Sequence, residues 1–182
     1  MGLMSFFRRP DPAQQAAPAL YGAIVAQARN PTIYADLGVP DTVDGRFDMI
    51  VAHAMLVMRR LRQDGAPGQA MAQELFDYMF KDMDRSLREL GVGDMSIGKH
   101  VKKMARAFYG RAEEIEQAMD GDAAALDAAL AGTVFRKAPA APAQVRALGR
   151  YLTTAVAALG QVSSADVARG ALVWPTVELP AS

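Results

Sequence analysis

The 182-residue chain contains no cysteine, which excludes disulfide frameworks, thiol nucleophiles, iron–sulfur clusters and every cysteine-containing zinc site. Its two histidines are His53 and His100, so metal or acid–base chemistry would have to lean on carboxylates. No apolar run approaches the roughly 18 to 20 residues of a membrane-spanning helix. Neither sign of charge is in excess, with Lys+Arg 20 against Asp+Glu 20 and a formal net charge of +0. With 51% hydrophobic and 22% charged residues, that balance disfavours both disorder and a wholly basic nucleic-acid binder. The phosphate loop Gly-x-x-x-x-Gly-Lys-Ser/Thr, the Gly-x-Gly-x-x-Gly turn, the Gly-x-Ser-x-Gly elbow and His-Glu-x-x-His are all missing. So is Glu-x-x-His, the di-iron pattern of helical bundles. Asp82 and Asp84 stand two apart, point in different directions on a helix and do not form a general acid/base pair. No enzyme, no metal site and no cofactor is expected.

What is there reads as helix after helix, punctuated by Gly, Pro, Asn and Asp without strand alternation. An all-α, single compact multi-helix domain with short loops and no significant sheet is expected over residues 19–178, behind a flexible N-terminal segment, 1–18. A first helix is expected over 19–29. Asn30-Pro31 ends it and opens a short second one, because Asn caps well and Pro costs nothing at the first helical position. Asp41-Thr42-Val43-Asp44-Gly45 offers several caps for a third helix, in which Phe47, Ile50, Val51, Ala54, Met58 and Leu61 step by three and four as one buried stripe. His53 lies beside that stripe as a structural histidine. Residues 63–68 read as a turn. In the fourth helix Ala72, Leu75, Phe76, Met79, Phe80, Met83, Leu87 and Leu90 share a face. Asp77–Lys81 and Asp84–Arg88 make favourable i,i+4 pairs there, and Gly91-Val92 makes a Schellman stop. Asp94 or Ser96 then caps a fifth helix reaching residue 119, with Gly110 a candidate interruption and His100 on its solvent boundary. Shorter helices are expected over 122–131, 143–159 and 163–169, the last opened by Ser163-x-x-Asp166. Residues 137–142 are the one linker-like stretch.

The most specific signal is a segregation of charge. Residues 99–111 carry Lys99, Lys102, Lys103, Arg106 and Arg111 without an acid; residues 112–122 carry Glu113, Glu114, Glu116, Asp120 and Asp122 without a base. At roughly 100° per residue, Lys99, Lys102, Lys103 and Arg106 form one stripe, with Ile97, Val101, Met104, Ala105 and Phe108 opposite. Cations in the first turn of a helix oppose its macrodipole at a cost of about 0.3 to 1 kcal/mol. An anionic partner explains the order, an ordinary solvated face being the plain alternative. Candidate partners are phospholipid headgroups, ribosomal RNA or an acidic protein surface; specific DNA binding is not expected. Met49, Met55, Met58, Met79, Met83 and Met104 either fill the core or line a groove for a hydrophobic client. At the start, Leu3, Met4, Phe6 and Phe7 precede Arg8 and Arg9. That is the wrong order and too short for a signal peptide, and Phe6 stands where a myristoylation site has a hydroxyl. The segment reads either as a frayed terminus or as a membrane-surface toe of Phe6, Phe7, Arg8 and Arg9.

Two blocks make the sequence resemble the ubiquinol-cytochrome c chaperone family, whose mitochondrial members help assemble respiratory complex III. The first is Leu20-Tyr-Gly-Ala-Ile-Val-Ala-Gln-Ala-Arg-Asn-Pro-Thr-Ile-Tyr34-Ala-Asp-Leu-Gly38-Val-Pro-Asp41-Thr-Val-Asp-Gly-Arg46-Phe-Asp48. The second is Phe76-Asp-Tyr-Met-Phe-Lys-Asp82-Met-Asp84-Arg-Ser-Leu-Arg-Glu-Leu-Gly91-Val-Gly93-Asp-Met-Ser96-Ile-Gly-Lys99-His-Val-Lys102-Lys103-Met-Ala-Arg-Ala-Phe108-Tyr109-Gly110-Arg111. The likeness covers residues 20–119, within an expected family core of 19–120, and leaves 121–178 as a helical extension packed on it. It implies a non-catalytic chaperone of cytochrome b, with a small partner protein, the ribosome or an anionic membrane surface as further contacts. Lys99, Lys102, Lys103 and Arg106 match the family's basic helix; Tyr21, Tyr34, Asp36, Asp41, Arg46, Asp82 and Asp84 match polar positions, and Tyr109 and Arg111 complete the candidate partner-binding set. The missing mitochondrial transit pattern leads to the expectation of a bacterial-type member, cytoplasmic and peripheral at the inner face of the cytoplasmic membrane. The alternative from the residues alone is a peripheral lipid- or isoprenoid-binding helical module.

Overall fold

The computed structural model describes residues 12–178. Over them the chain forms helices α1 (Pro12–Ala28), α2 (Pro31–Ala35), α3 (Val43–Arg62), α4 (Gly65–Glu89), α5 (Asp94–Met119), α6 (Ala123–Gly132), α7 (Pro142–Gly160) and α8 (Ser164–Ala168), and no strand among the described residues. The protein is all-α, as its periodicity predicts.

Most helix ends follow from single residues. The Asn30 side chain accepts a bond from the Thr32 N–H at 3.1 Å, with Pro31 opening α2. Of the candidate caps before α3 it is Thr42 that acts, its Oγ1 accepting from the Gly45 N–H at 3.1 Å. Asp122 and Ser163 cap α6 and α8 in the same way. At the end of α4, Gly91 takes φ +82°, the Val92 N–H donates to the Leu87 carbonyl at 3.1 Å and the Gly91 N–H to the Arg88 carbonyl at 2.9 Å. That is the Schellman geometry.

Other boundaries differ from expectation. α1 begins at Pro12 instead of residue 19 and runs through Pro18. Pro18 is exposed while Ala13, Ala16, Ala17 and Leu20 are buried, so the ring's clash with the preceding turn falls on the solvent side and the packed face is intact. α4 starts at Gly65, inside the stretch expected as a turn, because Gly68 lies against the end of α3. A Cβ there would meet the Leu61 carbonyl oxygen at 1.9 Å, so no other residue fits. α5 is capped at Gly93, neither Asp94 nor Ser96, and continues unbroken through Gly110.

The larger correction concerns α3. Instead of presenting one stripe, it is enclosed by α1, α4, α5 and α7. Every residue from 51 to 57 is buried, while Phe47, Ile50 and Met58 of the expected stripe are only partly so. The run Ile50-Val-Ala-His-Ala-Met-Leu-Val57 is nearly apolar all round, which is the composition of a central helix. Met49, Met55, Met79 and Met83 are core residues.

A central helix must satisfy its polar groups through its neighbours, and α3 has three: Asp48, His53 and Arg60. His53 Nδ1–H donates to the Met49 carbonyl at 2.7 Å, its Nε2 accepts from the Tyr151 hydroxyl at 2.8 Å, and Gln27 Nε2 donates to that hydroxyl oxygen at 2.9 Å. One neutral tautomer satisfies the whole chain and joins α1, α3 and α7. The Trp174 ring closes over His53 edge-on, 5.1 Å between centroids. Arg60 donates to the Val162 carbonyl from Nε at 3.2 Å and Nη2 at 2.7 Å, and from Nη1 to Asp64 at 2.9 Å, tying α3 to the α7–α8 loop.

Burial pushes His53 from its ordinary 6.5 down to about 4. Between those values the unfolded chain binds a proton that the folded chain refuses, so this histidine makes stability fall as pH drops from about 6.5 to 4, by on the order of 3 kcal/mol. Thermal melts across that window should show the fall in the native chain and a flatter dependence in His53→Gln; a level native profile would contradict the assignment.

Candidate functional site

The orientation of α5 decides which of its side chains meet solvent. On its inner side, Arg111 pairs with Asp48, whose other oxygen is held by Arg136 from the α6–α7 loop. The Arg111 guanidinium also sits 5.3 Å from the Phe47 ring centroid. Asp48 is only 2% exposed. Burial pushes its carboxyl above the usual range, and the two guanidiniums offset part of that rise. Asp44, one turn earlier, takes Lys137 and lies 3.7 Å from Arg136. Ile97, Phe108 and Ile115 are buried on the same inner side.

That anchoring turns Lys99, Lys102, Lys103 and Arg106 outward. All four are exposed, and none makes an ion pair among the described residues. The arginines around them behave otherwise: Arg59, Arg60, Arg62, Arg85 and Arg88 each hold a carboxylate. An open depression of about 610 Å³ runs along Gly98 and the four cations. Three of the chain's five lysines lie on this one face.

The acidic half of α5 is used differently. Glu116 receives Arg59 and Arg62 from α3, Asp120 receives Arg59 at 2.6 Å, and Asp122 caps α6. Between these acids and α3 lies an open groove of about 470 Å³ with Met55, Met58, Phe108, Tyr109 and Ala112 as its apolar lining and Glu113, Glu116 and Asp120 among its rim. The groove thus lies along 108–120, past the basic residues 99–106, and meets the basic face at Tyr109, three residues after Arg106. Tyr109 is exposed and packs against Phe76, 5.1 Å between ring centroids.

The remaining sequence-selected residues fall elsewhere. Tyr34, Asp41 and Arg46 line an open pocket of about 490 Å³ at the α2–α3 corner with Arg29, Pro31 and Ala35. There Arg46 Nε donates to Asp41 at 2.6 Å and the Tyr34 hydroxyl to the Ala28 carbonyl at 2.5 Å. Asp36 is exposed, its backbone carbonyl accepting from Gln144 Nε2 at 3.2 Å. Tyr21 is buried between α1 and α4 beside Tyr78; burial, then the nearby Asp82, push its hydroxyl up to about 12. Asp82 also holds Arg85, and Asp84 accepts from Arg88 Nε at 2.7 Å. Of the fourth-helix pairs expected, Asp84–Arg88 forms, whereas Asp77 takes Gln73 at 2.9 Å. His100 is exposed, its Nδ1 bonded to the Ser96 carbonyl at 2.9 Å. Phe6, Phe7, Arg8 and Arg9 lie outside the described residues. Among the described residues no three His, Asp or Glu are placed to hold a metal, and no helix is long and apolar enough to cross a membrane. The pairing of Asp48 with Arg136 is not visible in the sequence, where the one signal is an acid placed directly before the apolar run 49–52.

These contacts separate outward-facing cations from inward-facing ones. Replacing Lys102, Lys103 and Arg106 together by Glu should leave helicity intact and the melting temperature within a few degrees of native. Arg111→Ala removes a counter-charge from buried Asp48 and should cost about 3–5 kcal/mol. Circular dichroism melts check both, and loss of helicity in the triple variant would make the stripe structural.

Comparison with known proteins meets this geometry. The Ubiquinol-cytochrome C chaperone family matches residues 35–174, extending well past the blocks that first made the resemblance visible. Over 165 residues, 90% of this chain, it is 25% identical to ubiquinol-cytochrome c reductase complex assembly factor 1 of Mus musculus and 24% identical to that of Homo sapiens. The match covers 56% and 55% of those proteins, so the chain spans just over half the length of either. The Xenopus laevis counterpart is 23% identical, with 82% of it covered. Among solved structures, the crystal structure of the Cbp3 homolog from Brucella abortus superposes with a TM-score of 0.79 at 37% identity, covering 91% of this chain and 92% of that one. With the family match spanning 140 residues and the same helical fold in a solved relative, the chain belongs to the ubiquinol-cytochrome C chaperone family.

Proposed function

We propose that this protein is a non-catalytic assembly chaperone of respiratory complex III that holds cytochrome b and docks through the basic face of α5. The assembly role follows the family and the names of the relatives. One observation supports the docking geometry: the apolar groove between α3 and α5 opens on the same helix that carries the four unpaired cations, with Tyr109 between them. A chaperone needs a surface that accepts apolar segments without demanding one shape. Half-buried Met58 suits this, with core residue Met55 as the floor beneath it, because an unbranched thioether chain repacks at low cost. The cations add long-range attraction and orientation without fixing the client's sequence. The buried histidine offers no proton-transfer site, since both ring nitrogens are engaged inside the fold. A cytoplasmic protein peripheral to the membrane that receives the client completes the reading.

The isoprenoid-binding alternative requires interior space lined by methionine. Met49, Met55, Met79 and Met83 instead pack into the core.

Deleting the gene should lower assembled complex III while its transcripts stay constant, and the native chain should restore it. Tyr109→Glu, which places charge at the groove mouth, should restore it poorly and reduce co-purifying cytochrome b by about fivefold or more. Unchanged complex III in the deletion strain would refute the role.

A further inference from the structure

We infer that the α4–α5 hairpin tip and the basic face of α5 together form a binding surface for an anionic lipid bilayer, with Leu90 and Met95 entering the headgroup–acyl boundary. The inference deepens the docking reading above by naming what the cations meet.

Two large apolar side chains are stranded in water at the tip. Leu90 is 81% exposed and Met95 is fully exposed. They flank the turn that Gly91 fixes in the left-handed region, so the tip is a defined corner of the fold. Leaving such side chains solvated forgoes the transfer energy that burial would return. Nothing in the packing of either helix requires them there.

Their position relative to the cations is set by helix geometry. Lys99, Lys102 and Arg106 follow Met95 by four, seven and eleven residues, which at 100° per residue keeps them all within about 40° of Met95's direction. Lys103 lies on the edge of the same face. From Met95 to Arg106 the face runs about 16 Å at 1.5 Å per residue. At the tip Arg88 is shared by Asp84 and Asp94, and Arg85 by Asp82 and Glu89, so the unopposed positive charge begins at Lys99, one turn past Met95. The result is one surface with an apolar end and a cationic length.

A bilayer is the occupant that uses both parts. Anionic headgroups attract Lys and Arg near the surface, and the boundary beneath them accepts Leu and Met side chains. RNA or an acidic protein surface would use the cations and leave Leu90 and Met95 in water.

The test uses the full chain with vesicles of phosphatidylcholine alone or mixed with phosphatidylglycerol. Flotation should be strong with the mixed vesicles, weak with the neutral ones, and reversed by salt. Leu90→Ser with Met95→Ser should lower partition about tenfold, and Lys102→Glu should lower it about fivefold or more, each with the melting temperature unchanged. Because the native chain has no cysteine, Met95→Cys labelled with an environment-sensitive fluorophore reports insertion at one site. Its emission should shift to the blue with mixed vesicles, while the same label at Arg146→Cys, exposed on α7, should not respond. No flotation of the native chain, equal binding to neutral vesicles, or an unshifted label at position 95 overturns the inference. A deletion strain that still loses complex III would then leave the chaperone role standing and assign the cations to a protein or RNA contact.

Discussion

A carboxylate sealed from water must find its counter-charge inside the fold, and Asp48 finds two, Arg111 from α5 and Arg136 from the α6–α7 loop. That requirement sets the rotation of α5 about its own axis. Arg111 faces inward, Ile97, Phe108 and Ile115 follow it into the core, and Lys99, Lys102, Lys103 and Arg106 have no direction left but outward. His53 and Arg60 apply the same logic further along α3, each binding a different neighbour. The central helix thereby specifies the arrangement of the helices around it, since each buried polar group accepts one partner geometry.

Seen this way, the charge order along α5 has two causes. The acids of its second half are internal fasteners: Glu116 and Asp120 hold Arg59 and Arg62 of α3, and Asp122 opens α6. The bases of its first half have no such employment, and they start beyond the first turn, which holds Asp94, so the helix dipole expected to oppose them does not act on them. Four exposed cations on one face with no carboxylate partner among the described residues are what a surface shaped by an external anion would show. The groove beside the acids and the apolar corner beyond the bases extend that surface in two directions, one suited to a greasy client and the other to a bilayer.

Local chemistry was legible in the sequence wherever one residue dictates a conformation. Asn30, Asp122, Ser163 and Gly91 each mark a boundary that the fold keeps, and the outward stripe of α5 follows from spacing alone. The start of α1 was hidden because Pro18 punctuates a sequence strongly but disrupts a helix only where its ring meets packed neighbours. The enclosure of α3 was hidden because a short apolar run satisfies one-sided and all-round burial equally well. The two Asp48 pairs join residues 63 and 88 positions apart, and the groove likewise joins distant stretches of α3 and α5, which periodicity does not relate. The second half of the fold was legible as helices, yet its membership of the family emerged only when the match reached residue 174.

Amine-reactive labelling of lysines, read residue by residue in the free chain and again on membranes where complex III is being assembled, tests the central claim most directly. In the free chain Lys99, Lys102 and Lys103 should react faster than Lys137, which is paired with Asp44, and all three should become protected on the membranes while Lys81 changes little. Slow reaction of the three in the free chain, or reactivity unaltered by the membranes, would contradict the account.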